Sequence, residues 1–136
     1  MAGIYEDHPV AELPAPDGSR PPAGVIAVQL QALAANDDPF TDAGIKTAYN
    51  FASPSNRRAT GPLERFVRMV STAPYAAMVD HVSAERGTLR ASADTAEQRV
   101  ELTGPDGQQR SYVFGLSRQN DGSLEGCWLT DRVLVE

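Results

Sequence analysis

Cysteine, lysine and histidine are nearly missing from this chain. Of its 136 residues, one is cysteine (Cys127), one is lysine (Lys46) and two are histidine (His8 and His81). A single cysteine forms no intrachain disulfide, and adding two histidines does not complete a Cys/His zinc site, so neither a disulfide framework nor a metal is expected. No apolar run approaches the ~18 residues that a membrane span requires, and the start lacks a charged stretch leading into an apolar core. The expectation is an intracellular, cytoplasmic protein. Excess positive charge is absent too: 12 basic side chains face 18 acidic ones, a formal net charge of -6. That balance disfavours nucleic acid or an anionic membrane as partner, since both select a basic surface. With lysine so rare, the basic residues are arginine almost throughout. GC-rich coding explains this simply; a need for planar guanidinium groups is the functional alternative. No serine-centred elbow, phosphate-cradling glycine loop or dinucleotide fingerprint is found, and no cofactor is expected.

What the chain does have is enough apolar material for one core. Hydrophobic residues make up 41% and charged residues 22%, which fits a single globular domain of this length. The first two dozen residues stand apart. Pro9, Pro14, Pro16, Pro21 and Pro22 are five of the ten prolines, and no apolar period survives among them. Residues 1–24 read as a flexible, proline-rich lead, or else as a proline-rich arm for a partner, and residues 25–136 as the folded domain. The lead holds Glu6, Asp7, Glu12 and Asp17 against Arg20. Half of the net charge therefore belongs to it, and the domain is closer to neutral than the whole.

Helical spacing begins at Val25, with Ile26, Gln29, Leu30 and Leu33 in register, and predicts a first helix over about 23–35, stopped by Asn36-Asp37-Asp38-Pro39. Thr41 or Asp42 is the expected cap of a second helix, whose buried face is Ile45, Ala48, Tyr49 and Ala52. Ser55 to Thr60 reads as a polar turn. A third helix starts at Gly61-Pro62-Leu63-Glu64, with Leu63, Phe66, Val67 and Val70 on one face, and closes at Pro74. Beyond Tyr75 the texture is strand-like. Alternation is weak from Val79 to Arg90 and clear from Ala96 to Thr103, where Gln98, Val100 and Leu102 oppose Glu97, Arg99 and Glu101. Gly104-Pro105-Asp106-Gly107 and Asn120-Asp121-Gly122-Ser123 signal turns around the strand Tyr112–Leu116. The last strand, Gly126 to Val135, alternates Cys127, Leu129, Asp131, Val133 and Val135 against Trp128, Thr130, Arg132 and Leu134. Three helices followed by about four antiparallel strands predict an α+β fold with the helices packed on one face of the sheet.

The segment Phe51-Ala52-Ser53-Pro54-Ser55-Asn56-Arg57-Arg58-Ala59-Thr60-Gly61-Pro62-Leu63-Glu64-Arg65-Phe66, followed by Met69, Tyr75, Met78 and His81, resembles the family called domain of unknown function 4864. The likeness continues in Gln29 to Leu33, Asp42 to Ile45, Leu116 to Gly122 and Cys127 to Asp131, and covers about residues 25–134. It implies the nuclear transport factor 2-like (cystatin-like) α+β cone, in which a strongly curved antiparallel sheet wraps the helices and leaves a conical cavity. In that superfamily the cavity is an enzyme pocket, a ligand pocket or a plugged core, so the fold alone selects no function. Sheet-face homodimers are common there, and a homodimer is expected here.

Candidate residues follow from what such a cavity would need. An isomerase- or dehydratase-like reaction requires a carboxylate or imidazole base facing a hydroxyl donor. Tyr49 is the first donor candidate and Tyr112 the second; each also reads as a core tyrosine bonded to backbone. Asp80, Asp131 and His81 are the candidate bases, each also readable as a surface or structural residue. For a small apolar ligand, Tyr49, Phe66, Met69, Tyr75, Met78, Tyr112, Phe114 and Trp128 are the candidate lining; the same side chains can equally fill the space. Asn56, Arg57 and Arg58 suggest an anion site or simply a solvated turn. Cys127 beside Trp128 reads as strand packing. The leading expectation is a non-catalytic ligand- or partner-binding module, ahead of an enzyme and of a plugged structural domain.

Overall fold

The computed structural model describes residues 8–136; residues 1–7, including Glu6 and Asp7 of the lead, lie outside the described residues. Among the described residues four α-helices precede five strands: α1 (Pro22–Ala34), α2 (Ala43–Asn50), α3 (Pro54–Thr60), α4 (Leu63–Val70), β1 (Ser83–Arg86), β2 (Arg90–Ala91), β3 (Thr95–Thr103), β4 (Gln109–Arg118) and β5 (Trp128–Val135). The order is α+β, as expected, with all strand pairs antiparallel in the path β1-β3-β4-β5 and β2 pairing the same edge of β3 as β1. None of the helices is long and apolar enough to cross a membrane among the described residues.

The fourth helix is α3, which the sequence pattern presents as a polar turn. No residue of α3 is buried, so no apolar period marks it. It forms from local capping: Pro54 sits in the first turn and the Ser53 hydroxyl accepts the Asn56 N–H at 3.2 Å. The cap of α2 also differs from expectation. Asp42 stands at the N-cap in a left-handed conformation (φ 60°) and its side chain caps nothing. Asn36 supplies the cap instead, its Oδ1 accepting the Ile45 N–H at 2.9 Å while its Nδ2 donates to Asp42 Oδ1 at 3.0 Å. Asn36 is 4% exposed, so one buried amide ties the end of α1 to the start of α2.

The core lies between helices and sheet. Val25, Ile26, Leu30 and Leu33 of α1 and Ile45 and Tyr49 of α2 meet Val100 and Leu102 of β3 and Tyr112, Phe114 and Leu116 of β4. Alternation along β3 follows the expected faces, Ala96, Gln98, Val100 and Leu102 being buried and Glu97 and Arg99 exposed. Along β5 it does not. Leu116 pairs with Thr130 but Gly115 pairs with Arg132, so Asp131 is an extra residue in a β-bulge. The bulge resets the phase: Thr130 and Val133 take the face of Leu116 and Phe114, whereas strict alternation separates them. The far edge of β5 is covered at Thr130 by residues 51–53, through Thr130 N–H to Phe51 O (2.7 Å) and Ser53 N–H to Thr130 O (2.8 Å).

Within residues 8–21, the backbone is held by Asn50, which is fully buried at the end of α2. Its Nδ2 donates to Pro14 O (3.0 Å) and Val10 O (3.3 Å), and its Oδ1 accepts the Val10 N–H (2.6 Å). The His8 ring meets Tyr49 edge-on, and Arg20 lies over the ring of Phe51.

Candidate functional site

Beneath the bulged part of β5 lies a pocket of about 290 Å³. Each element contributes by its register. From α1 come Gln29 and Leu33, one turn apart on the face toward the sheet; from α2, Ala48; from α4, Phe66, Met69 and Val70. Tyr75 and Met78 close it from the turn after α4, Phe114 forms the floor, and Thr130 to Leu134 give the rim. The wall is mainly aliphatic and aromatic, with a small polar group at the end where Gln29, Asn56, Thr60 and Thr130 gather.

That polar end is tightly organised. Gln29 is 3% exposed and Thr130 2%. Gln29 Nε2 donates to Thr130 Oγ1 at 2.8 Å and to the Val25 carbonyl at 3.2 Å. Asn56 Nδ2 donates to the Thr130 carbonyl at 3.0 Å, and the Thr60 hydroxyl donates to Asn56 O at 2.8 Å. A polar side chain on the apolar face of the first helix was the sequence signal for Gln29. Thr130 had none, because its inward direction depends on the bulge.

The residues expected at a site are divided by the structure. Phe66, Met69, Tyr75, Met78, Phe114 and Asp131 line the pocket; Tyr49, Tyr112, Trp128 and His81 are not on its lining. Tyr112 is buried beneath it and donates to Pro74 O at 2.8 Å, and burial pushes its phenol above the usual range. Tyr49 packs against Phe66, with ring centroids 5.1 Å apart, and against the His8 ring. Trp128, at the start of β5, is half-buried against the core. His81 is buried on another side of α1, near Leu30 and Ala34, with Nδ1 2.8 Å from Met78 O. Asp80 closes the end of α1: its N–H donates to Leu33 O (2.8 Å) and its Oδ1 accepts the Asn36 N–H (3.1 Å). Tyr75, on the lining, donates its hydroxyl to Val133 O at 3.0 Å and thereby occupies a carbonyl of β5.

Of the remaining candidates, Arg57 is consumed locally. Its Nη1 donates to Ala52 O at 2.6 Å and lies 3.0 Å from His8 Nε2. Burial, then the Arg57 charge, holds the His8 imidazole below its ordinary range. Cys127 is buried, and burial followed by the Asp17 charge pushes its thiol up, away from nucleophilic character. Among the described residues no group of three or more His, Cys, Asp or Glu side chains is placed to hold a metal ion. On the outer face of the sheet, Val113 pairs with the half-exposed Leu134, flanked by the ion pairs Arg132–Glu97 (3.5 Å) and Arg99–Glu136.

No curated protein and no solved structure matches the chain. A family model described as Domain of unknown function (DUF4864) matches residues 21–134, a span that takes in all four helices and nearly the whole sheet, with every lining residue of the pocket. By that match the chain belongs to the DUF4864 family.

Proposed function

We propose that this protein is a non-catalytic module that binds a small, mainly apolar ligand in the pocket between α1, α2, α4 and β5. The observation that carries the reading is an unfilled volume of about 290 Å³ walled by Leu33, Phe66, Met69, Val70 and Phe114. That is close to the lower end, about 300 Å³, of small-molecule sites. A plugged domain would have spent these side chains on contact with one another. An isomerase- or dehydratase-like reading gains less support, because Asp131 is the only one of the acid–base candidates on the lining and Tyr49, Tyr112 and His81 are elsewhere. The resemblance to the nuclear transport factor 2-like cone supports a ligand cavity between helices and sheet. It also supports pairing of two copies through the outer sheet face, where Val113 and Leu134 form an apolar spot. A cytoplasmic setting accords with the single buried thiol.

Calorimetric titration with 4-ethyltoluene, a neutral hydrocarbon, tests the pocket. Binding to the native protein stabilises it by roughly 1.4 kcal/mol at ten times Kd. Ala48→Leu, which grows a side chain from α2 into the pocket, is expected to remove that binding while the protein stays folded. Equal binding by native protein and Ala48→Leu would place the hydrocarbon elsewhere and end this reading.

A further inference from the structure

The polar end of the pocket has an orientation that restricts what it accepts. A glutamine amide can be reversed without changing its shape, but here the Val25 carbonyl accepts only, so the atom facing it at 3.2 Å must be Nε2. The same Nε2 donates to Thr130 Oγ1. Two bonding capacities are left over. Gln29 Oε1 accepts no hydrogen bond from any described residue, and the Thr130 hydroxyl, having accepted from Gln29, keeps its own hydrogen to donate. Both side chains line the pocket and both are at least 97% buried. Gln29 Oε1 is not among the fully buried unpartnered atoms of the described residues, so it is an acceptor reachable from the pocket rather than one sealed off. An acceptor and a donor side by side on such a wall are costly when a bound body covers them unmatched and specific when it matches them.

We propose, building on the pocket reading above, that the ligand is a neutral molecule with an apolar body and one hydroxyl head, an alcohol or a phenol. Its O–H donates to Gln29 Oε1 and its oxygen accepts from the Thr130 hydroxyl. A carboxylate head has no proton for Gln29 Oε1 and meets the Asp131 carboxylate on the rim, while Arg132 is engaged with Glu97 on the outer face. An ammonium head leaves the Thr130 hydroxyl without an acceptor. The volume of about 290 Å³ corresponds to about ten water volumes of ~30 Å³ each, so the body is a single ring or a short branched chain.

The test uses 4-ethylphenol and 4-ethyltoluene, which differ only by hydroxyl for methyl, titrated into the full chain and followed by calorimetry and amide chemical shifts. An apolar wall alone prefers the hydrocarbon, because burying an unmatched hydroxyl is unfavourable. The native protein is expected to reverse that order and bind the phenol more tightly. Gln29→Leu is expected to weaken the phenol about tenfold and leave the hydrocarbon within a factor of about two; Thr130→Val reads the same ratio if Gln29→Leu does not fold. Tighter hydrocarbon than phenol in the native protein, or an unchanged ratio in the variants, overturns the hydroxyl-head proposal and leaves the pocket reading standing. Binding of neither compound overturns both.

Discussion

Gly44→Ala puts the α1–α2 seam to a direct test. Gly44 sits in the first turn of α2, where an exposed glycine replaced by alanine would gain about 0.5–1 kcal/mol of helix stability. Here the sign reverses. A Cβ built at Gly44 falls 2.2 Å from the Ala32 carbonyl oxygen, 2.8 Å from its carbon and 2.8 Å from Asn36 Oδ1. Two of those atoms are α1 backbone and the third is the cap of α2, held by its bond to Ile45 N–H. None is the free end of a flexible side chain, so relief requires the two helices to part by about 1 Å. Overpacking of that kind costs typically 1–3 kcal/mol, and more where backbone must move. Because the struck atoms are mostly backbone, the cost is taken at the top of that range, about 3 kcal/mol. After subtracting the helix gain, the expected net loss is about 2–2.5 kcal/mol, a fall of roughly 1.5 M in the urea midpoint for an m-value near 1.5 kcal/mol/M. The assay is equilibrium urea unfolding followed by far-UV circular dichroism, with Gly18→Ala as control, since nothing lies within 4 Å of a Cβ there. Stabilisation by Gly44→Ala, or a loss under about 0.5 kcal/mol, would refute the close approach of the helices and with it the placement of Gln29 and Ala48 across the pocket.

Two further outcomes are expected. The folded-state pKa of His8 lies below its ordinary value of 6.5, because burial and Arg57 disfavour the charged ring. The contact is therefore fully stabilising above about pH 6.5 and weakens as pH falls below it, the released segment binding the extra proton. Amide exchange at Val10, whose N–H bonds Asn50 Oδ1, should quicken relative to the β3 core as pH drops from 7 to 5. His8→Leu should flatten that dependence, and an unchanged Val10 protection in the native protein would show that the histidine does not govern the contact. For assembly, light scattering at tens of micromolar is expected to give about twice the chain mass of 14.6 kDa. Leu134→Glu should return the single-chain mass; a native protein already at 14.6 kDa refutes pairing through the sheet face.

Residue periodicity carried most of the architecture. The first two helices, the clear strand at Thr95–Thr103 and the Gly107 turn all follow from patterns that depend on near neighbours, and the turn glycine adopts the positive φ of 83° that its sequence implies. What the pattern missed is equally physical. Helix α3 buries no residue, so no apolar face marks it in the sequence. Asn36 replaces Asp42 as cap across nine residues of chain, and capping rules look only at the next turn. Asn50 holds residues around Val10 and Pro14 from about 40 positions away, a pairing with no local signature.

The same distinction explains the site. Large apolar side chains such as Phe66, Met69 and Phe114 are legible as pocket candidates because aromatic and sulfur-bearing residues on helix and strand faces must pack somewhere. The polar end depends instead on one inserted residue. Without the bulge at Asp131, strict alternation from Val133 would turn Thr130 to the outer face, and Gln29 Nε2 would lose the Oγ1 it bonds at 2.8 Å. With it, Thr130 turns inward while Arg132 turns outward over Gly115, where a Cβ would strike the guanidinium at 2.6 Å. Gly115 and Asp131 therefore act as a pair: the glycine clears room for the arginine outside, and the extra residue brings the threonine inside. The chemistry of the pocket is set by this local change of strand phase more than by the helices around it, which supply mainly its apolar wall.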